Sequence, residues 1–431
     1  MTANPTRPRP LFVLIGLCVA TRLFMLGFWP ENYDRFPVDV DGYWHIAGNI
    51  WAGNGYAVGP EPTPTAYRPP TYPLFLAGVR GLTGDRPVLA LASQAALDAV
   101  TLIAIYFLAM VITGARPVAY LASFLWAVYL PEAASITRFW SEPLCALILT
   151  SALLVFMLAR KQDKLWQYGV SGLMLGAAAL TRPEFFLLPL MFAVLVLVKR
   201  GEGIGGRALR ASLVLFGCVA LLAPWILRNA LVFDDFIPAT TVGGFVFFVG
   251  NATLDEDNYL YHRGTAYGLI KLEGRAPQPL WINAQVSAQM PRSEMGLDRL
   301  YAKAAWRLIR DYPGRFIKLS CIRAVRLWLS VGFGRYPHWK SLFVAGINSG
   351  LLLLGFIGWL TARHRSEGKL TPLVVVLVYG TLVHMPIEAL VRHVFPMIPT
   401  LVVLSALGVV AIHQSRAWPS VIGHGGPSTQ P

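Results

Sequence analysis

SLFVAGINSGLLLLGFIGWLT, residues 341–361, contains no Asp, Glu, Lys or Arg. As one helix these 21 residues reach about 30 Å, the thickness of a bilayer's hydrocarbon core. Lipid offers the backbone no hydrogen-bond partners, so such a run crosses as a helix. Stretches 370–387 and 393–413 are also free of those four residue types. Across 431 residues the chain is 55% apolar and only 14% charged, with a mean hydropathy of +0.52. A soluble protein of this length carries more charge and needs polar faces between its apolar runs, which are missing here. The chain is therefore expected to be an all-α integral membrane protein.

Working outward, ten spans are predicted at 11–29, 87–113, 116–131, 141–159, 165–181, 184–199, 209–227, 341–361, 371–387 and 393–413. The connections Arg160 to Lys164, Lys199 to Arg210 and Arg363 to Lys369 are short and basic. The positive-inside bias makes their side cytoplasmic, together with Arg7, Arg9, Arg116 and Arg416. Counting crossings leaves two large extracytoplasmic loops, 30–86 and 228–340, and a polar cytoplasmic tail, 416–431, after a transmembrane domain covering 1–415. The run after Arg7 and Arg9 lacks a small-x-small cleavage site, so it is expected to be a retained span rather than a signal peptide. The net charge of +14 then belongs to basic loops on anionic headgroups. No nucleic-acid motif accompanies it. Cys18, Cys145, Cys218 and Cys321 are scattered, three of them in apolar runs, and read as small apolar residues rather than a disulfide or metal set.

In the first outer loop, apolar residues at 43, 46, 47, 50 and 51 have helical spacing, predicting a short amphipathic helix on the membrane surface, preceded by Asp39 and Asp41 and stopped by Gly53-Asn54-Gly55. Pro60 to Pro73 reads as extended and stiff. In the second loop, 294–311 reads as an amphipathic helix ended by Tyr312-Pro313-Gly314, and 315–331 as a basic, aromatic stretch against the membrane.

Charge stands where it is expensive. Arg182, Arg228 and Arg392 lie at span ends on the outer side, and Arg68 in a stiff loop on that side. Converging, the four could cradle a phosphate, whose oxygens suit the guanidinium fork. Each alone could equally snorkel to headgroups or pair with an acid, Glu184 and Glu388 being at hand. Asp39 and Asp41 could supply a general base, hold a divalent cation, or simply cap the helix that follows. Glu142, at the start of the 141–159 span, is either a third acid for that site or another cap. His45, His262, His338, His384 and His393 lack metal-ligand spacing. Asn251-Ala252-Thr253 is a weak glycosylation sequon, and there is neither a phosphate-binding glycine loop nor a Gly-x-Ser-x-Gly elbow.

An acid before Tyr43-Trp44-His45-Ile46-Ala47-Gly48-Asn49, a Gly-x-Gly-Tyr turn at 53–56, and Arg68-Pro69-Pro70-x-Tyr72-Pro73 resemble the polytopic GT-C glycosyltransferases, in particular the bacterial protein-mannosyltransferase-like and aminoarabinose-transferase-like enzymes. Ser141-Glu142-Pro143, Leu180-Thr181-Arg182-Pro183-Glu184, Pro224-Trp225-x-x-Arg228-Asn229, Gly243 through Asn251 and Arg392-His393-x-x-Pro396 continue the resemblance in order along nearly the whole chain. It implies a GT-C-like helix bundle that moves a sugar from a polyprenyl-phosphate donor to a lipid, polysaccharide or protein acceptor at the outer face of the cytoplasmic membrane. The family's catalytic acid falls on Asp39, donor binding on Arg68, Tyr72, Arg182, Arg228 and Arg392, and supporting or metal-binding acid roles on Asp41 and Glu142. Many relatives carry an adjacent second acid; here that position is Val40 and the second acid is Asp41. The implied reaction is a single inverting displacement, Asp39 taking the acceptor proton while arginines stabilise the departing polyprenyl phosphate. The rival expectations are a lipid-sugar flippase or transporter, an O-antigen ligase or polymerase, and a non-enzymatic scaffold. A transporter should show internal repetition and helices broken at mid-membrane, and neither is evident.

Overall fold

In a computed structural model, the structure describes residues 9–28, 39, 41–59, 61–199, 203–251, 293–329, 339–363 and 368–417. Arg7, Val40, Pro60, the stretch 252–292 with Thr253 of the sequon and His262, His338, and the tail beyond 417 lie outside them.

The protein is a helical bundle. Helix α1 (Arg9–Phe28) is followed by α2 (Tyr43–Trp51), a two-residue antiparallel ladder of β1 (Ala57–Val58) with β2 (Thr63–Pro64), and α3 (Thr71–Thr83). Then come α4 (Pro87–Thr113), α5 (Arg116–Ala127), α6 (Leu130–Ala133), α7 (Glu142–Gln162), α8 (Leu165–Ala179), α9 (Leu188–Leu197) and α10 (Ile204–Phe233). The second loop holds α11 (Gly243–Asn251), α12 (Glu294–Asp311) and α13 (Pro313–Leu329), and the chain closes with α14 (Trp339–Ala362), α15 (Thr371–His384) and α16 (Ile398–Ala417).

Among the described residues six helices are long and apolar enough to cross a bilayer, and α5 with the segment through Thr137, bent by 46°, makes a seventh. Three of the ten expected spans fall on shorter helices: α8, α15, and the apolar segment Pro183–Leu197 containing α9. Proline and arginine turns truncate these, as at Leu180-Thr181-Arg182-Pro183. The multi-pass membrane reading holds. Phe12, Phe216, Val219, Leu353 and Phe356 lie exposed on helix exteriors, where lipid replaces water as the favourable neighbour.

Small residues set the closest helix contacts. A Cβ on Gly172 of α8 would run into the Val214 carbonyl of α10, and one on Gly217 into the Gly169 carbonyl. Such close approach supplies the dispersion and packing that hold helices together in lipid.

Two loop expectations need adjustment. Within the stretch expected to be stiff and extended, only Thr63–Pro64 forms a strand, and Thr71–Thr83 is helical; Pro73 sits in that helix's first turn, where a missing N–H costs nothing. Asn251 is fully buried, its amide donating to the carbonyls of Phe247 and Pro386, so it is no accessible acceptor for glycosylation.

Candidate active site

The first outer loop folds back so that its two aspartates face different partners. Gly42, with φ of +77°, reverses the chain between them and α2; a left-handed residue costs glycine nothing. Asp39 reaches the start of α2, where its Oδ2 accepts from the His45 backbone N–H at 3.1 Å and lies 2.8 Å from His45 Nδ1. Its side chain is only 9% exposed, and its Oδ1 is buried with no hydrogen-bond partner. One oxygen of Asp39 therefore caps a helix, as Asp does well; the other is free to accept a proton.

Asp41 takes the opposite course. Oδ1 receives Arg68 Nη2 at 2.7 Å and Oδ2 receives Arg392 Nη1 at 3.1 Å. Burial opposes its charge, but Arg68 and Arg392 outweigh that and hold its carboxyl below the usual carboxylate range. Burial likewise opposes the charge of Arg68, and Asp41 outweighs it, raising the guanidinium above its ordinary value. Arg68 also donates Nε to the Asp41 carbonyl and lies over the Tyr43 and Tyr67 rings. The chain of charges runs on: Arg392 Nε is 3.6 Å from Glu142 Oε1, which lies 2.7 Å from Arg182 Nη1, and Arg182 Nε pairs with Glu184. Glu142 begins α7, Arg182 follows α8, and Arg392 begins the last span. The ends of three helical segments thus meet the first loop at one place.

Arg138 is a member that the sequence reading missed. It and Arg392 both lie over the Trp140 ring, at 5.4 Å and 4.8 Å. Burial and then the like charge of Arg392 push the Arg138 guanidinium below its usual value. Four guanidinium groups (Arg68, Arg138, Arg182, Arg392) and four carboxylates (Asp39, Asp41, Glu142, Glu184) lie in or beside this cradle. Guanidinium forks suit phosphate oxygens.

Two expected members stand apart. Tyr72 is fully buried behind the cradle, its hydroxyl donating to Gln94 Oε1 at 2.8 Å and its ring 5.0 Å edge-on from Tyr43. Arg228 donates to the carbonyls of Thr65 at 2.8 Å and Tyr56 at 3.0 Å, over the Tyr56 and Trp225 rings. Tyr56 in turn donates its hydroxyl to the Arg68 carbonyl at 2.8 Å. Arg228 thus braces the strand of chain that delivers Arg68 rather than joining the charge chain. Glu294, at the start of α12, clamps the same stretch through Thr65, the Ala66 N–H and Thr241. Sequence spacing had offered no hint of that long-range clamp.

The described residues of the cradle do not by themselves form a divalent-cation site. Both Asp41 oxygens are committed to guanidinium groups, as is Glu142, and among the described residues no three His, Cys, Asp or Glu side chains form a metal-binding group.

With this geometry in place, similarity to known proteins acquires meaning. Residues 67–227 match the family model described as dolichyl-phosphate-mannose-protein mannosyltransferase. The chain superimposes on the apo crystal structure of the Archaeoglobus fulgidus oligosaccharyltransferase with a TM-score of 0.55 at 15% identity, covering 97% of this chain and 53% of that one. The same archaeal enzyme in complex with an inhibitory peptide and a dolichol-phosphate gives 0.55 at 15% identity, over 97% and 52%. ArnT from Cupriavidus metallidurans bound to undecaprenyl phosphate gives 0.43 at 14% identity, over 98% and 82%. No curated protein matches in sequence. The chain thus shares its fold with the archaeal enzyme, and the family model matches the stretch that carries Arg68, Glu142 and Arg182. The chain spans about half the length of the archaeal enzyme.

Proposed function

We propose that the protein transfers a sugar from a polyprenyl-phosphate-linked donor to an acceptor hydroxyl at the outer face of the cytoplasmic membrane. The observation carrying this reading is the pairing of a buried, unpartnered carboxylate oxygen on Asp39 with an adjacent guanidinium cradle, Arg68 and Arg392 held together by Asp41. In the proposed reaction Asp39 Oδ1 takes the proton of the acceptor hydroxyl as the acceptor's oxygen attacks the anomeric carbon. The bond to the donor phosphate breaks, and the phosphate leaves with the electron pair into the cradle of Arg392, Arg68 and Arg138. A single displacement inverts the anomeric centre. Asp41, Glu142 and Glu184 hold the guanidinium groups in place, so that little reorganisation accompanies charge development, the condition under which such stabilisation is largest.

The test uses the full-length protein in lipid nanodiscs with polyprenyl-phosphate hexoses and pentoses and with lipid, polysaccharide and peptide acceptors. Products are followed by mass spectrometry. Transfer by wild type and its loss in Asp39→Asn support the reading. Equal turnover in both removes Asp39 as base; lipid translocation without transfer favours a flippase.

A further inference from the structure

We propose that His45 is the positioning residue for Asp39 and confers the site's pH response, through an imidazole-to-carboxylate bond made from one turn inside α2. This deepens the transferase reading and rests on it for its kinetic arm. The geometry is specific. Asp39 and His45 are six residues apart, yet the backbone N–H and the ring Nδ1 of His45 both engage the same oxygen, Asp39 Oδ2. This fixes the carboxylate plane and leaves Oδ1, buried and unpartnered, as the one oxygen able to receive a proton. The imidazole side chain itself is 75% exposed, so its ring is open to exchange protons with solvent while its Nδ1 face is on the base. Its spacing matches no metal set, and it buries little apolar surface. Packing does not explain its orientation; the carboxylate does.

The charged groups around His45 are Asp39, on the preceding turn, and Arg80 of α3, whose guanidinium lies over Trp44 at 4.5 Å. The Asp39 hydrogen bond raises the His45 pKa above its usual value, burial opposing and Arg80 pulling the other way. The imidazolium therefore persists to higher pH than in a free histidine, and its charge is lost as pH rises through that raised value. While charged, the ring opposes the positive charge that arrives with the acceptor proton. Neutral, with Nδ1–H still donating, it keeps the carboxylate aimed and removes that opposition. Transfer is expected to rise with pH through the His45 titration.

Two measurements on full-length protein in nanodiscs decide the matter. In the first, histidine-labelled wild type and Asp39→Asn are titrated by NMR; removing the carboxylate should lower the His45 pKa. An unchanged value overturns the pair whether or not the protein transfers sugar. In the second, kcat, KM and the pH profile are compared for wild type, His45→Gln and His45→Ala. His45→Ala should lose about ten- to a hundredfold in kcat, since small misplacements of reacting groups cost that much, with donor KM little changed. His45→Gln, which can donate an N–H but does not titrate, should recover much of kcat and lose the inflection. A full-rate His45→Ala with the wild-type pH profile overturns the proposal. If wild type transfers from no donor, the transferase reading fails, and the NMR titration still judges the pair.

Discussion

Two charge clusters among the described residues differ in access rather than in chemistry. In the arginine cradle Arg68 and Arg392 keep 19% and 24% of their side chains exposed. In the second cluster, Arg22 of α1 meets Asp98 of α4 at 2.9 Å with both side chains fully buried. Arg22 also donates to the carbonyls of Trp126 and Ala127, where α5 breaks before Leu130-Pro131. The Trp126 indole donates to the Asp98 carbonyl. This cluster caps the severed end of a bent span and ties α1, α4 and α5 together. A closed ion pair with every guanidinium face occupied is a structural bolt. An ion-pair chain whose guanidinium groups stay partly exposed is the site proposed here for the donor phosphate.

Breaking each cluster should produce different failures. The largest effect is expected from Asp39→Asn, which keeps the cap on α2 but removes the proton acceptor. Loss of a general base typically costs about 10²- to 10⁴-fold in rate. The protein should keep its wild-type melting temperature and donor binding, read by thermal shift and by binding of a non-reactive polyprenyl phosphate; an unfolded variant would move Asp39 from chemistry to structure.

Next comes the bolt. Asp98→Ala should cost about 3–5 kcal/mol of stability by stranding a buried guanidinium, seen as a lower unfolding temperature in detergent with turnover per folded molecule unchanged. The double variant Arg22→Met/Asp98→Leu should recover most of that loss, because apolar replacements of a buried pair are often neutral. If Asp98→Ala instead lowers kcat at full stability, the division between the clusters is wrong. Arg392→Ala comes third. Losing one stabilising contact to a developing oxyanion costs about 2.7–4 kcal/mol of barrier, or 10²- to 10³-fold in kcat. Since Arg392 also restrains Asp41 and Glu142, Arg392→Lys should restore only part, lacking the fork that reaches both.

How much of this was legible in the sequence follows from the range of each interaction. The spans came from runs of apolar residues, a local signal, and so did α2 and α12, whose helical spacing is visible over two or three turns. Asp39, Asp41, Glu142, Arg182 and Arg392 could be singled out because charge near an apolar run is costly wherever the chain later goes. What those residues touch was not legible. Asp41 pairs with Arg392, 351 positions away, and nothing local separates it from Asp39, whose partner is six positions off. The choice between base and cap was left open; one Asp39 oxygen caps α2, and the other, buried and unpartnered, is the one proposed as base. Arg22 and Asp98 were overlooked although their signal was plain: each is an ionisable residue inside a predicted span. Arg138 had no such signal. It follows a broken helix, and only the folded chain brings it beside Arg392 over Trp140.

Arg228 gives the finest test, because it was expected among the phosphate-binding arginines and lies one step behind them. Its guanidinium holds the Thr65 and Tyr56 carbonyls, and the Tyr56 hydroxyl holds the Arg68 carbonyl. Removing it leaves the cradle's own pairs intact, and Glu294 and Thr241 still hold the same stretch through Ala66. Arg228→Ala should therefore loosen residues 56–68 locally, seen as faster amide exchange there, and lower kcat by only about three- to tenfold, against the hundredfold or more for Arg392→Ala. Glu294→Gln should resemble Arg228→Ala, and the double variant should lose more than the two losses combined, because each clamp covers for the other. If Arg228→Ala equals Arg392→Ala in kcat without changing exchange at 56–68, Arg228 meets the phosphate directly, and the cradle is wider than the ion-pair chain that defines it here.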